Sequence, residues 1–325
     1  MNDLMREYQT RIQRVLDEAL NQTDIPERLR ESMRYSALSG GKRFRALLVY
    51  AAGLSVDAPL EKLDVVAIAL ECIHAYSLIH DDLPAMDDDD LRRGQATNHI
   101  KFDDATAILA GDGLLTFAFE LINGPESPLT DQQCRKISHL LANNAGPIGM
   151  VGGQMLDIQA TGLSENKNTS QQTSLNELEN IHRRKTGALI KAATLCGAYC
   201  SESVSSKQIE NLNDYATSIG LAFQVVDDIL DIESSTEELG KPSGADIELG
   251  KATYPALIGL EESKEMAENL YQEAMVSLTA IGDNTRLFTK EAKGFEEQAK
   301  SFEEQAGNNT AMLKSLADLV IKRRN

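Results

Sequence analysis

The chain has 325 residues, 42% of them hydrophobic and only 5% aromatic with no Trp, so any core must be built mainly from Leu, Ile, Val, Ala and Met. A formal net charge of −18 argues against nucleic acid and anionic membrane surfaces as general partners, while leaving room for a local basic pocket. The cysteines Cys72, Cys134, Cys196 and Cys200 form no C-x-x-C pair and no zinc spacing with His, which fits a reducing compartment. With no signal-type N-terminus, the expectation is a cytoplasmic protein.

Along the chain the apolar periodicity is helical, and sustained period-2 alternation is missing. Pro26 precedes one helix. The apolar run from Ala46 to Val56 is too short to cross a bilayer, so no stable membrane anchor is expected. Leu63, Val66, Ala67, Leu70, Ile73, Ala75, Leu78 and Ile79 form a stripe broad enough for a deeply buried helix. The segments Ile108 to Ile122, Ile137 to Leu141, Leu189 to Tyr199 and Leu212 to Ile232 read the same way, with Pro125, Pro128 and Pro242 marking loops. Gly162 to Thr173 reads as a polar surface connection, and no stretch has linker composition. The fold class expected is all-α, one domain over residues 1–325. A tandem heptad places Phe295 and Phe302 on one helical face, within an acidic helical insert near residues 285–310 that either packs amphipathically or binds a partner.

Two aspartate clusters carry the chemistry. Asp81-Asp82-Leu83-Pro84-Ala85-Met86-Asp87 begins at the end of a helix, which Pro84 should disturb. Carboxylates there face the negative end of the macrodipole, and three more aspartates, Asp88, Asp89 and Asp90, follow. Such crowding is tolerated if cations occupy the site or if the segment stays wet. His74, Ser77 and Asp81 share one helical face. In Asp227-Asp228-Ile229-Leu230-Asp231, Asp227 and Asp231 stand at i, i+4 between the apolar residues Val225, Val226, Ile229 and Ile232, where an uncompensated carboxylate is expensive. Oxygen-only ligands of this kind suit Mg²⁺ bridging carboxylate and phosphate. Basic groups lie close by in sequence: Gly40-Gly41-Lys42-Arg43-Phe44-Arg45, Arg92-Arg93-Gly94, His182-Arg183-Arg184-Lys185-Thr186-Gly187, Lys241 and Lys251. Each alone is a common surface feature; repeated beside aspartates in an acidic chain, they fit chelation of a diphosphate from both sides.

These motifs, with Glu71-Cys72-Ile73-His74-Ala75-Tyr76-Ser77-Leu78-Ile79-His80 leading into the first cluster and Phe223-Gln224 into the second, resemble those of the short-chain trans-prenyl diphosphate synthases. The likeness is strongest to the bacterial farnesyl diphosphate synthases and runs in order from about Ser32 to Glu261. The resemblance implies an isoprenoid-synthase bundle of long helices around a central cavity, usually homodimeric. It also implies three Mg²⁺ ions on an allylic diphosphate, held by Asp81, Asp87 and Asp227 with Asp82, Asp228 and Asp231 in support. It assigns Arg92, Lys185 and Lys241 to that diphosphate, and Lys42, Arg45, His74 and Arg93 to isopentenyl diphosphate. Thr186 and Gln224 would lie beside the reacting carbons, and Lys251 at the pocket mouth.

The implied activity condenses isopentenyl diphosphate with dimethylallyl and then geranyl diphosphate. An aromatic floor at Tyr76, next to Ser77, points to a C15 product; a geranylgeranyl-type synthase is the alternative. In such a family a basic tail like Ile321-Lys322-Arg323-Arg324-Asn325 can close over the site. Two remoter readings are a metal phosphohydrolase built on His80-Asp81 and a non-catalytic subunit of a heteromeric synthase. The first lacks clearly spaced further His ligands, and the second would not need both aspartate motifs.

Overall fold

The computed structural model describes residues 3–160, 173–233, 252–291 and 310–322. Lys241, Lys251, the Phe295/Phe302 heptad and Arg323–Asn325 lie outside the described residues, as does the 162–172 part of the polar connection.

The apolar positions between Leu63 and Ile79 surround their helix rather than lining one side of it, so the helix must be enclosed by others. That helix, α4 (Leu60–Asp81), lies between α3 (Phe44–Leu54) and α6 (Asp104–Asn123). The N-terminal pair α1 (Asp3–Leu20) and α2 (Glu27–Ala37) covers these three from one end. The chain continues through α5 (Asn98–Lys101), α7 (Asp131–Ala145), α8 (Met150–Ala160) and α9 (Leu175–His182). A π-helical turn (Arg183–Gly187) leads directly into α10 (Ala188–Tyr199), which lies against α3 and α7. The long α11 (Ser206–Glu233) runs beside α10, then come α12 (Tyr254–Ile258), α13 (Leu260–Glu291) and α14 (Ala311–Ile321). The buried apolar residues of these helices form one continuous core.

Polar contacts fix the helix ends that matter for the site. Arg43, in the left-handed region at φ 51°, makes a buried ion pair with Glu71 at 2.8 Å, and the other Glu71 oxygen accepts from Ala46 N–H in the first turn of α3. One carboxylate of α4 therefore caps α3 and sets the loop that precedes it. At the far end of the chain, Tyr215 Oη donates to Leu313 O at 2.7 Å and Tyr271 Oη to Asp318 at 2.6 Å, seating α14 on α11 and α13.

Two departures from the sequence reading stand out. A two-residue hairpin exists, β1 (Leu91–Arg92) against β2 (Gln95–Ala96), its turn formed by Arg93 and Gly94 with φ of 55° and 75°. Positive φ at both central residues is the type I′ pattern; strands of two residues are too short to alternate, and Arg in place of the usual Asn hid the turn. Second, α4 and α6 are both long and apolar enough by composition to cross a membrane, although the run from Ala46 to Val56 is not. For α4 the reason is its place in the core, with 67% of its apolar window buried; for α6 the figure is 39%.

Candidate active site

The first aspartate cluster is a turn that folds back on the end of α4. Leu83 N–H donates to His80 O and Met86 N–H to Leu83 O, after which Asp87 N–H reaches Asp81 O at 2.9 Å. The two carboxylates that the spacing separates by six residues are thereby brought over one helix end. Burial pushes the Asp81 carboxyl up to about 6, reinforced by Asp87 and Asp82 and opposed by Lys185 and Arg92. Asp82 is buried, and burial raises its carboxyl too, against the pull of Arg92, whose Nε donates to both Asp82 oxygens at 2.7 and 2.9 Å. The hairpin exists to deliver that guanidinium: Thr97 closes it by donating from its N–H to Asp90 O and from its hydroxyl to Asp89 O.

The next residue points the other way. Arg93 donates to Gly40 O at 2.5 Å, and its guanidinium lies flat against Gly41, where a Cβ would sit 2.7 Å from Cζ. Gly41, at φ 102°, has neither room nor conformational freedom for a side chain. Arg45 donates to His74 Nε2 at 3.3 Å, so this imidazole nitrogen is the acceptor and the ring is neutral. Burial and then the charges of Arg45, Arg93, Arg43 and Arg92 hold His74 well below the usual imidazole range. In a chain of net charge −18, four guanidiniums bear on one ring. His74 and Asp81 are seven residues apart on α4, about 10 Å along the axis, so a cation-rich region and a carboxylate-rich turn sit two turns apart.

Between them lies a cavity of about 420 Å³ lined by Arg45, His74, Tyr76, Ser77, His80, Asp81, Lys185 and Thr186, with Met150, Val151, Met155 and Ile158 of α8 as an apolar wall. Tyr76 is buried and meets the His80 ring edge-on, 5.8 Å between centroids at 77°. Although an ideal helix rotates Tyr76 well away from Asp81, its long ring still reaches the same cavity. The His80 Nε2 is engaged with Ile108 O at 3.1 Å.

The π-helical turn supplies the facing wall. Lys185 and Thr186 both sit in it, and widened turns of this type are common where a helix must present side chains to a site. Lys185 Nζ pairs with Asp157 of α8 at 2.6 Å. The Thr186 hydroxyl donates to Gln224 Oε1 at 3.2 Å, Gln224 Nε2 donates to Asp228 Oδ1 at 3.2 Å, and Tyr254 N–H donates to Asp228 Oδ2 at 3.1 Å. The second aspartate cluster is thus wired to the π turn through one amide. Its members differ in setting: Asp227 is exposed, whereas Asp228 and Asp231 are buried.

Of the residues singled out from sequence, the cavity gathers Arg45, His74, Tyr76, Ser77, Asp81, Lys185 and Thr186; Gln224 joins through Thr186. Arg92 and Arg93 act through Asp82 and Gly40, and Lys42 is exposed with its carbonyl accepting from Gln9. Asp157 and the α8 wall were missed, although Gly152-Gly153-Gln154-Met155-Leu156-Asp157 put two glycines and a carboxylate on one helix as a signal. Among the described residues no three His, Cys, Asp or Glu side chains converge into a metal cage. The donor set nevertheless fits Mg²⁺: crowded carboxylates on a fold-back turn offer a few hard oxygens and leave the remaining positions to water and phosphate.

Residues 26–283 match the family model described as polyprenyl synthetase. The chain is 51% identical over 285 residues to a farnesyl diphosphate synthase of Haemophilus influenzae, covering 86% of this chain and 93% of that protein. It is 45% identical over 267 residues to a chloroplastic geranylgeranyl pyrophosphate synthase of Capsicum annuum, covering 82% of this chain and 70% of that one. Among solved structures, one described as a putative farnesyl-diphosphate synthase from Marinomonas sp. MED121 superposes with a TM-score of 0.76 at 38% identity, covering 99% of this chain and 100% of that chain.

Proposed function

The chain belongs to the polyprenyl synthetase family, and from that premise we propose that it condenses isopentenyl diphosphate head-to-tail with dimethylallyl and then geranyl diphosphate, releasing farnesyl diphosphate and pyrophosphate. The observation that carries this reading is the pairing, two turns apart on α4, of a carboxylate turn with a guanidinium cluster across one largely apolar cavity. The first suits a diphosphate that arrives with metal ions, the second a diphosphate bound directly. Asp81, Asp87 and Asp227 would hold Mg²⁺, with Asp82 and Asp231 in support; bound there, the metal neutralises the leaving diphosphate.

The chain's own residues do the rest. Arg92 and Lys185 add positive charge where the allylic C–O bond breaks. Arg45, Arg93, Lys42 and the neutral His74 orient isopentenyl diphosphate so that its terminal carbon faces the allylic one. The Thr186 hydroxyl donates to Gln224 and turns its oxygen to the cavity, a neutral dipole beside developing positive carbon. The Met and Ile wall excludes water that would quench it. The proton lost from the coupled product needs an acceptor, and the departing pyrophosphate is at hand.

Tyr76, buried below Asp81, limits growth to C15. Lys241 and Lys251 complete the diphosphate site in this proposal. Exposed Ile108 and Leu109 on α6 and Ile148 just before α8 support a homodimer, and the cytoplasm is its proposed location. The phosphohydrolase alternative is disfavoured, because His80 Nε2 is taken up by a backbone carbonyl. The deciding assay incubates the protein with Mg²⁺, isopentenyl diphosphate and dimethylallyl diphosphate and identifies the alcohol after dephosphorylation. A C15 product is expected, a C20 product selects the geranylgeranyl reading, and no pyrophosphate release overturns both.

A further inference from the structure

Two residues of helix α8, Gly153 and Asp157, meet the π-helical turn. A Cβ on Gly153 would lie 2.2 Å from Lys185 N, 2.7 Å from Lys185 Cα and 2.8 Å from Arg184 C, so only hydrogen fits there. Asp157 is one helical turn further on, on the same face. Its Oδ2 stands 2.6 Å from Lys185 Nζ, both side chains being about three-quarters buried at 23% and 28% exposure. Lys185 and Asp81 line the same cavity, and Lys185 is the main charge opposing the rise of that carboxyl. The ammonium therefore pairs with a carboxylate of α8 while lining the same cavity as Asp81.

We propose that Asp157 is a positioning residue that holds Lys185 Nζ at the cavity rim, aimed at the substrate diphosphate, while Gly153 lets the backbone of the π turn close against α8. A lysine is a point charge on a four-carbon stem with several rotatable bonds, and most of its rotamers would carry Nζ away from the phosphate. A carboxylate paired with it removes those rotamers before substrate arrives, so less ordering is left for the binding step. The inference rests on the reading of the cavity as an allylic diphosphate site.

Asp157→Asn keeps the side-chain shape and removes the charge. In initial-rate kinetics with Mg²⁺, isopentenyl diphosphate and geranyl diphosphate, the KM for geranyl diphosphate should rise about tenfold and that for isopentenyl diphosphate by less than about twofold. The melting temperature should not move. In a Lys185→Gln background the same change should add less than about twofold, because the carboxylate acts through the ammonium. Calorimetric titration of Mg²⁺ and inorganic pyrophosphate into the same four proteins gives the parallel readout without turnover, and remains available if the wild type proves inactive on these substrates. Equal rises in both KM values with a lowered melting temperature, or a full tenfold effect persisting in both measurements without Lys185, would overturn the proposal.

Discussion

The turn after α4 and the second half of α11 both carry paired aspartates, but different groups hold them. In the first, Asp82 is gripped by the Arg92 guanidinium, and Asp81 is left half-buried beside two like charges with its carboxyl pushed up to about 6. In the second, Asp228 accepts from a neutral amide, Gln224, and from the backbone N–H of Tyr254. The first segment is electrostatically incomplete and gains from a bound cation. The second is complete at Asp228 and serves to fix Gln224, hence Thr186, against the cavity. Similar motifs on paper thus differ at their second carboxylate, Asp82 being held by a charged guanidinium and Asp228 by neutral donors.

The largest test of that contrast is Asp81→Asn, expected to lower kcat by roughly 10³-fold in the prenyl-transfer assay, since the proposed Mg²⁺ site loses a carboxylate. A loss under tenfold would remove Asp81 from the charge-handling group. Arg92→Met strands a buried carboxylate and should cost about 2 kcal/mol in urea unfolding, below the ~3–5 kcal/mol of a fully buried pair because Arg92 is 32% exposed. Asp228→Asn sets an amide N–H against a donor from Gln224 or Tyr254 and should cost about 1–2 kcal/mol, with a smaller kcat effect than Asp81→Asn. If its kcat effect were the larger of the two, the contrast between the segments would collapse.

The pH dependence of metal-free stability sharpens the same contrast. With its carboxyl raised to about 6 in the folded chain and 3.8 otherwise, Asp81 keeps a proton across that window that the unfolded chain has lost. Its contribution is therefore full below pH 3.8 and disappears as pH rises through 6. Asp81→Asn should raise the melting temperature of the metal-free protein at pH 7 and not at pH 3.5; an equal shift at both would show that burial does not govern this group. Smallest in rate but plainest in readout, Tyr76→Ala should open the cavity floor and lengthen the product beyond C15, seen by reversed-phase chromatography.

The sequence by itself determined the helical class, the two aspartate clusters and the shared face of His74, Ser77 and Asp81, because each depends on local spacing, whereas Arg45, Lys185 and Thr186 were pointed to by the family resemblance. His74, Ser77 and Asp81 recur at helical intervals, and the pattern around Leu63 to Ile79 could only be enclosed. Only the tertiary structure decided which charges meet. Arg45 finds His74 across 29 residues, Lys185 finds Asp157 across 28 and Arg93 lies on Gly41, and no periodicity encodes partners that different helices bring together. The π turn and the hairpin were hidden for a related reason: each is a local backbone choice stabilised by its neighbours, Gly153 for one and Asp82 with Thr97 for the other, and not by the residues that adopt it.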